Sequence, residues 1–357
     1  MRISRATLLL PLLTLACGHS DGMSSGPDLV VYCSLDQDLS ENIIAKFEAR
    51  TGFTVETQFD VERNKTVGLV NRIIAEAKNN PRADVYWNNE IAHTLRLKDA
   101  GLTVAYQSPA ADGIPAAFRD ADHHWTGFAA RARVILYRTD REGLVPEKLD
   151  DFLNPAYAVG GAMAQPLTGT TLTNATVLSL QRGNDAMLSW FAAAEAAGLS
   201  FGAGNADVMR RTTHGDFLWC FTDTDDAAKA IAQGHPVAVR YLEQGDGSLG
   251  VLLIPNSICI LNSGKNLDAA KQFLDYILSV EVETQLAFSV AQQIPLHVGV
   301  AMPAGVQIPG QDYQVMAVDW PAVAAAISAR AVAFQEAFVK LLRFFTVAVH
   351  GHGGRWR

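Results

Sequence analysis

The 357-residue chain is short of positive charge: 29 Lys and Arg stand against 37 Asp and Glu, a formal net charge of −8. That balance argues against a protein that works by coating phosphate backbones, and no nucleic acid partner is expected. Cysteine is scarce too. Cys17, Cys33, Cys220 and Cys259 are the four present, none in a C-x-x-C pair, so they suit neither a disulfide scaffold, a zinc ribbon nor a redox motif. The chain also lacks a Walker loop, an H-E-x-x-H helix and a G-x-G-x-x-G after its first expected strand. The commonest nucleotide and metalloprotease sites are thereby removed, and no cofactor is expected. What is there is a 49% hydrophobic sequence with ordinary Gly and Pro, long enough at ~150 residues per domain for two lobes with cores of their own.

Residues 1–17 carry a basic start (Arg2, Arg5), an apolar stretch over 6–15 and small Ala16 ahead of Cys17, the anatomy of an export signal. The apolar stretch is too short to span a bilayer permanently. Leu13-Thr14-Leu15-Ala16-Cys17 resembles a bacterial lipobox, with Thr14 where that motif prefers Leu. The expectation is a chain in the periplasm or at the cell surface, lipidated at Cys17 and touching membrane only through that anchor. A buried N-terminal helix is the alternative, and no amphipathic period supports it. Residues 18–27 read as a polar tether. Within them Gly18-His19-Ser20-Asp21-Gly22 matches the nucleophile-elbow pattern, but the strand before and helix after that an elbow needs are missing. Cys33 and Cys259 fall in apolar, strand-like runs and read as small buried hydrophobes, a disulfide between them being the other possibility.

From residue 28 strands and helices alternate: strands at 29–33, 53–59 and 83–87, helices after Asp38 (an N-cap with Glu41 three residues on) and over 66–78. An extended stretch follows at 125–139. Helices at 171–181, 185–197 and 206–213 and strands at 218–221, 237–241 and 251–261 come next, then helices at 267–278, 280–290 and 331–343. This pattern predicts an α/β fold of two doubly wound lobes joined by a hinge, the first from 28–130 plus 255–343, the second from 131–254. Residues 344–357, with His350 and His352, read as an unstructured tail.

Ligands of such sheets bind beyond the carboxyl ends of strands, so polar residues just after strands are the candidates. Ser34 follows the first strand; Asn89 and Glu90 follow the third. Arg131 and Arg133, two apart on an extended segment, share a face, where one could clamp a carboxylate or phosphonate. Gly169-Thr170-Thr171 opens a helix, as either an anion cradle or an ordinary cap. In the stretch 222–226, Asp223, Asp225 and Asp226 could hold a cation or an ammonium group, or cap a helix. Tyr241 ends a strand near the expected cleft. His123 and His124 read as surface residues.

Val30-Val31-Tyr32-Cys33-Ser34, Ala83-Asp84-Val85-Tyr86-Trp87-Asn88-Asn89-Glu90, Trp125-Thr126-Gly127-Phe128-Ala129-Ala130-Arg131-Ala132-Arg133 and Leu253-Ile254-Pro255-Asn256-Ser257 together resemble an extracellular solute-binding protein of an ABC importer. The resemblance is nearer to the type II branch that includes periplasmic ferric-ion-binding proteins. It implies a monomer that closes on a small solute or metal ion by hinge motion and delivers it to an ABC permease with its ATPase. It also puts iron(III) first as cargo. Ferric relatives place adjacent tyrosines after the second-lobe strand, where this chain has Thr222 to Asp226. A ferric shell here would therefore need Glu90, Asp223, Asp225 and Tyr241, with a synergistic anion at Thr170. A zwitterion such as an aminophosphonate is the alternative, its anionic end on Arg131 and Thr170-Thr171, its ammonium on the Asp cluster. Two further classes are an exported enzyme using Asp223, Asp225 and His124, and a sensor lipoprotein that has lost transport.

Overall fold

The computed structural model describes residues 26–60, 67–262 and 264–351, with side chains given through Val339. Cys17 and the Gly18–Gly22 pattern lie outside the described residues. The alternation expected from the apolar runs is present: β1 (Leu29–Cys33), α1 (Gln37–Thr51), β2 (Val55–Phe59), α2 (Val67–Glu76), β3 (Val85–Asn88), α3 (Ala92–Asp99) and short β4 (Thr103–Val104). β1 pairs in parallel with both β2 and β3, an arrangement that requires crossover helices and covers both faces of the sheet. α1 starts one residue after Asp36, which takes the N-cap position expected for Asp38, and it ends at Gly52 with φ 74°, the left-handed conformation that glycine adopts without penalty.

β5 (Thr126–Arg138) joins the lobes. Its first half pairs antiparallel with β10 (Leu253–Leu261), its second half with β8 (Trp219–Asp223) on one edge and β9 (Val237–Arg240) on the other. The rest of the second lobe is α4 (Pro155–Ala158), β6 (Gly161–Ala164), α5 (Gly169–Arg182), α6 (Asn184–Ala196), β7 (Ser200–Gly202), α7 (Asn205–His214) and α8 (Thr224–Ala232). The strand path is β2-β1-β3-β10-β5-β8-β6-β7. The chain returns along β10 and covers the first lobe with α9 (Leu267–Ile277) and α10 (Val280–Ala287) before the closing α11 (Trp320–Gly351).

The register settles the cysteines. Cys33 and Ile258 both stand opposite Trp87, whereas Cys259 stands opposite Tyr86, and neighbouring positions on a strand face opposite ways. Cys33 therefore joins the core on one face, with Trp87, Phe47 and Phe273, and Cys259 the core on the other. A sheet separates the two thiols, and no disulfide links them.

α11 differs most from expectation. It begins well before residue 331 and runs on to Gly351, so residues 344–351 are helical rather than an unstructured tail; His352 lies outside the described residues. Nor does it belong to the first lobe alone, since it packs on α3 of that lobe and on α5 and α6 of the other. Phe334 and Phe338 meet Phe191 edge-on at 5.6 and 5.7 Å, and Phe338 meets Phe201 at 4.9 Å. Trp320–Val339 is long and apolar enough to cross a bilayer, yet its buried stripe of Val323, Ile327, Phe334 and Phe338 is taken up by these contacts.

Candidate functional site

A cavity of ≈ 620 Å³ lies between the lobes and brings together seven of the expected residues: Asn89, Arg131, Gly169, Thr170, Thr171, Asp223 and Asp225. Each but Arg131, which lies midway along β5, sits at a strand end or a helix start. α5 opens on Gly169 with φ 59° and open space where a Cβ would stand, and its N-cap Thr168 makes no side-chain cap hydrogen bond. The first N–H groups of any helix lack intrahelical acceptors, and here the dipole of a 14-residue helix adds to them. The start of α7, at Gly204 and Asn205, lines the same cavity.

Asp223 is framework. Its Oδ1 accepts from Arg133 Nη1 at 2.7 Å, and its Oδ2 accepts from Thr170 Oγ1 at 2.5 Å and Asn205 Nδ2 at 2.9 Å. Asn205 Oδ1 in turn accepts from Thr171 Oγ1 at 2.9 Å. Arg133 is buried, its guanidinium 4.4 Å from the centre of the Phe221 ring, so neither Arg of the extended segment is on a solvated face. Arg131 is 3% exposed; its Nη2 donates to Asn256 Oδ1 at 2.6 Å, and its Nε lies 3.7 Å from Asp225 Oδ2 with no hydrogen-bond partner. A buried donor without a partner is costly, and the residue that carries this one lines the cavity.

Beside the helix starts lies acid. Asp223, Asp225 and Asp226 each offer an oxygen within 4.8 Å of the others. Burial, and then the charges of Asp225 and Asp223, push the Asp226 carboxyl up to about 7. Lys229, on the next turn of α8, reaches across the cleft to Asp36 Oδ2 at 2.6 Å. Burial works against its ammonium, but Asp225 and Asp36 outweigh that and hold its pKa above the ordinary value.

Three candidates fall elsewhere. Tyr241 follows β9, on the edge of β5 away from β8, so the β5 strand separates it from the Asp cluster. Its ring stacks on Tyr313 at 4.1 Å, and burial pushes its phenol up to about 12. Ser34 is buried and does not line the cavity, its Oγ 3.4 Å from Tyr86 OH. Glu90 is fully buried and already holds four donors: Asn88 Nδ2, the N–H groups of Ala92 and His93, and Thr173 Oγ1. The expected ferric shell is therefore not assembled around Tyr241 and Glu90. His124, offered for acid–base work, binds Thr103 Oγ1 at 2.8 Å away from the cavity lining. Asn205 and Lys229 went unread in the sequence. Asn205 had the same signal as Gly169, a helix start after a short strand, whereas Lys229 sits one turn along α8 from the Asp cluster.

Residues 42–310 match the family of bacterial extracellular solute-binding proteins. The chain belongs to this family. The binding protein is therefore a solute-capturing component of an import system working outside the cytoplasm, and not an enzyme. It is 25% identical over 316 residues to iron uptake protein A1 of Synechocystis, covering 80% of this chain and 84% of that one. Its fold, a type II periplasmic binding protein, is that of iron-bound HitA from Pseudomonas aeruginosa (TM-score 0.74, 19% identity, 86% of this chain and 98% of the other). AfuA from Actinobacillus pleuropneumoniae, solved with fructose-6-phosphate bound, is similar to the same degree (TM-score 0.73, 20% identity, 87% and 97%).

Proposed function

We propose that the binding protein captures a small organic anion of the phosphonate or phosphate-ester class, with an ammonium or hydroxyl-bearing end, and hands it to an ABC permease driven by its ATPase. The fold does not choose the cargo, because chains of this shape hold iron in one relative and a sugar phosphate in another. The lining does. The observation that carries the reading is the guanidinium-bearing Arg131 lining the same cavity as the α5 start: a phosphoryl-type group supplies acceptors for both. Asp225 and Asp36 then accept from the donor end. A cavity of ≈ 620 Å³ suits a compact organic solute better than one ion.

Iron(III) is the second reading, favoured by the three clustered carboxylates and by the relatives' names. Its shell would have to come from Asp225 and Asp226, with Asp223 sharing an oxygen already hydrogen-bonded, and an anion at Thr170. Thermal unfolding with 2-aminoethylphosphonate, phosphate and ferric citrate in parallel separates the two. A ligand at ~100 times its Kd stabilises by ~2.7 kcal/mol; a shift with ferric citrate alone overturns the organic-anion reading. The reading also includes a monomer anchored through a diacylated Cys17, for which Cys17→Ser should move the protein from the membrane fraction to the soluble periplasm.

A further inference from the structure

Glu90 was a candidate ligand by position, and its surroundings make it something else. Both carboxylate oxygens are occupied from within the protein: Oε1 by Asn88 Nδ2 at 2.7 Å and His93 N at 2.9 Å, Oε2 by Ala92 N at 2.6 Å and Thr173 Oγ1 at 3.2 Å. The first three donors belong to the first lobe and fix the carboxylate at the start of α3. The fourth belongs to the second lobe. Thr173 lies in the first turns of α5, just past the Thr170 and Thr171 positions that line the cavity, so this buried hydrogen bond ties the cradle helix across the cleft. On the other side, the Glu90 carbonyl accepts from Ser257 Oγ at 2.6 Å, and Ser257 Oγ lies 2.7 Å from Thr94 Oγ1. Ser257 is on β10, one of the two strands that join the lobes. The neighbouring Asn89 lines the cavity, with a buried Oδ1 that has no partner.

We propose that Glu90 is a positioning residue for solute capture, holding α5 in register with Asn89 when the lobes are closed and coupling occupancy of the cradle to the joining strand. The proposal rests on reading the α5 start as the anion cradle. Because Thr173 comes from the second lobe and Glu90 is fixed on the first, moving the lobes apart breaks this bond, so it favours the closed form, and a closed form held this way releases its cargo slowly. Bonds to a charged acceptor are the stronger kind.

The test is Thr173→Val, which keeps volume and leaves the α3 cap intact, with Thr173→Ser as rescue. In the exported chain with 2-aminoethylphosphonate or inorganic phosphate as probe, Thr173→Val should raise Kd about tenfold, through faster release with unchanged association. The solute-free melting temperature should fall by no more than the loss of one hydrogen bond gives, and Ser should restore the affinity. A Kd and release rate equal to those of the natural protein overturn the proposal, as does an equal loss in Thr173→Ser. If the natural protein binds neither probe, the cradle reading fails by itself. Small-angle scattering of the solute-free protein then decides: Thr173→Val should enlarge the radius of gyration, and identical radii overturn the coupling role.

Discussion

Asp223 carries its negative charge where little water reaches it, 3% exposed, with Arg133, Thr170 and Asn205 as its fixed partners. Breaking a buried ion pair by removing one partner costs more than the pair is worth, because the other charge is left alone. Asp223→Ala should therefore destabilise the solute-free protein by ~3–5 kcal/mol in urea unfolding, before any effect on capture is counted. Tyr241→Phe should leave capture untouched. Its ring keeps the stack on Tyr313, and the hydroxyl it loses is outside the cavity, so calorimetry should find the affinity for any solute that binds the natural protein unchanged. Loss of binding in this variant would restore the phenolate reading of the site.

Among the elements, α5 and α11 divide the work. α5 sets the cradle and lies against α11, with Arg330 Nε donating to Ser179 Oγ at 2.9 Å. α11 locks the outer wall of the second lobe by driving Phe334 and Phe338 among Phe191 and Phe201. Phe334 is completely buried, and truncating a buried Phe removes both its transfer energy and the packing around the hole. Phe334→Ala should cost ~3–5 kcal/mol in denaturant unfolding. A helix merely laid on the surface would lose a small fraction of that. Because α11 touches both lobes, it also limits which hinge motions are open to the molecule: the lobes can rock about β5 and β10 only as far as the helix slides or bends with them.

For the whole molecule, pH is the lever, acting through Glu283 and His297. Glu283 accepts from the N–H groups of Ala129, Leu296 and His297 and pairs with His297 Nδ1 at 2.8 Å, while His297 Nε2 lies 2.9 Å from the Ala110 carbonyl. Both ring nitrogens thus face acceptors, which only the imidazolium satisfies. The hydrogen bond to Glu283 raises the His297 pKa above its ordinary 6.5, against burial. Burial disfavours the Glu283 charge, but the bonds from His297 and the backbone outweigh it and lower the carboxyl below its ordinary 4.5. His297 therefore contributes stability that is complete below the unfolded value of 6.5 and lost as pH rises through the raised folded value. The Glu283 contribution is complete above 4.5 and lost as pH falls through the lowered one. The denaturation midpoint should decline as pH rises above the ordinary histidine value of 6.5, and His297→Asn should flatten that decline.

Much of this was already written locally in the chain. Apolar runs of strand length broken by helical periods dictated two α/β lobes, because burial on both faces of a parallel sheet leaves no other pattern. Gly169, Thr170, Thr171, Asp223 and Asn89 could be named in advance because a residue just past a strand or opening a helix is carried to the cleft by its own few neighbours, and Arg131 through the alternation of faces along its extended segment. Tyr241 could not be judged that way: whether it reaches the cleft depends on which edge of β5 receives β9, a pairing between segments a hundred residues apart. The same holds for Glu90, whose carboxylate is claimed by donors that arrive from α3 and α5, and for α11, whose apolar stripe declares a buried face without saying against which lobe. Hydrophobic period and strand-end position are properties of neighbours in the chain and are visible in it. Edge choice, ion-pair saturation and the lobe a helix packs on are free-energy differences between long-range contacts, and only the folded molecule decides them.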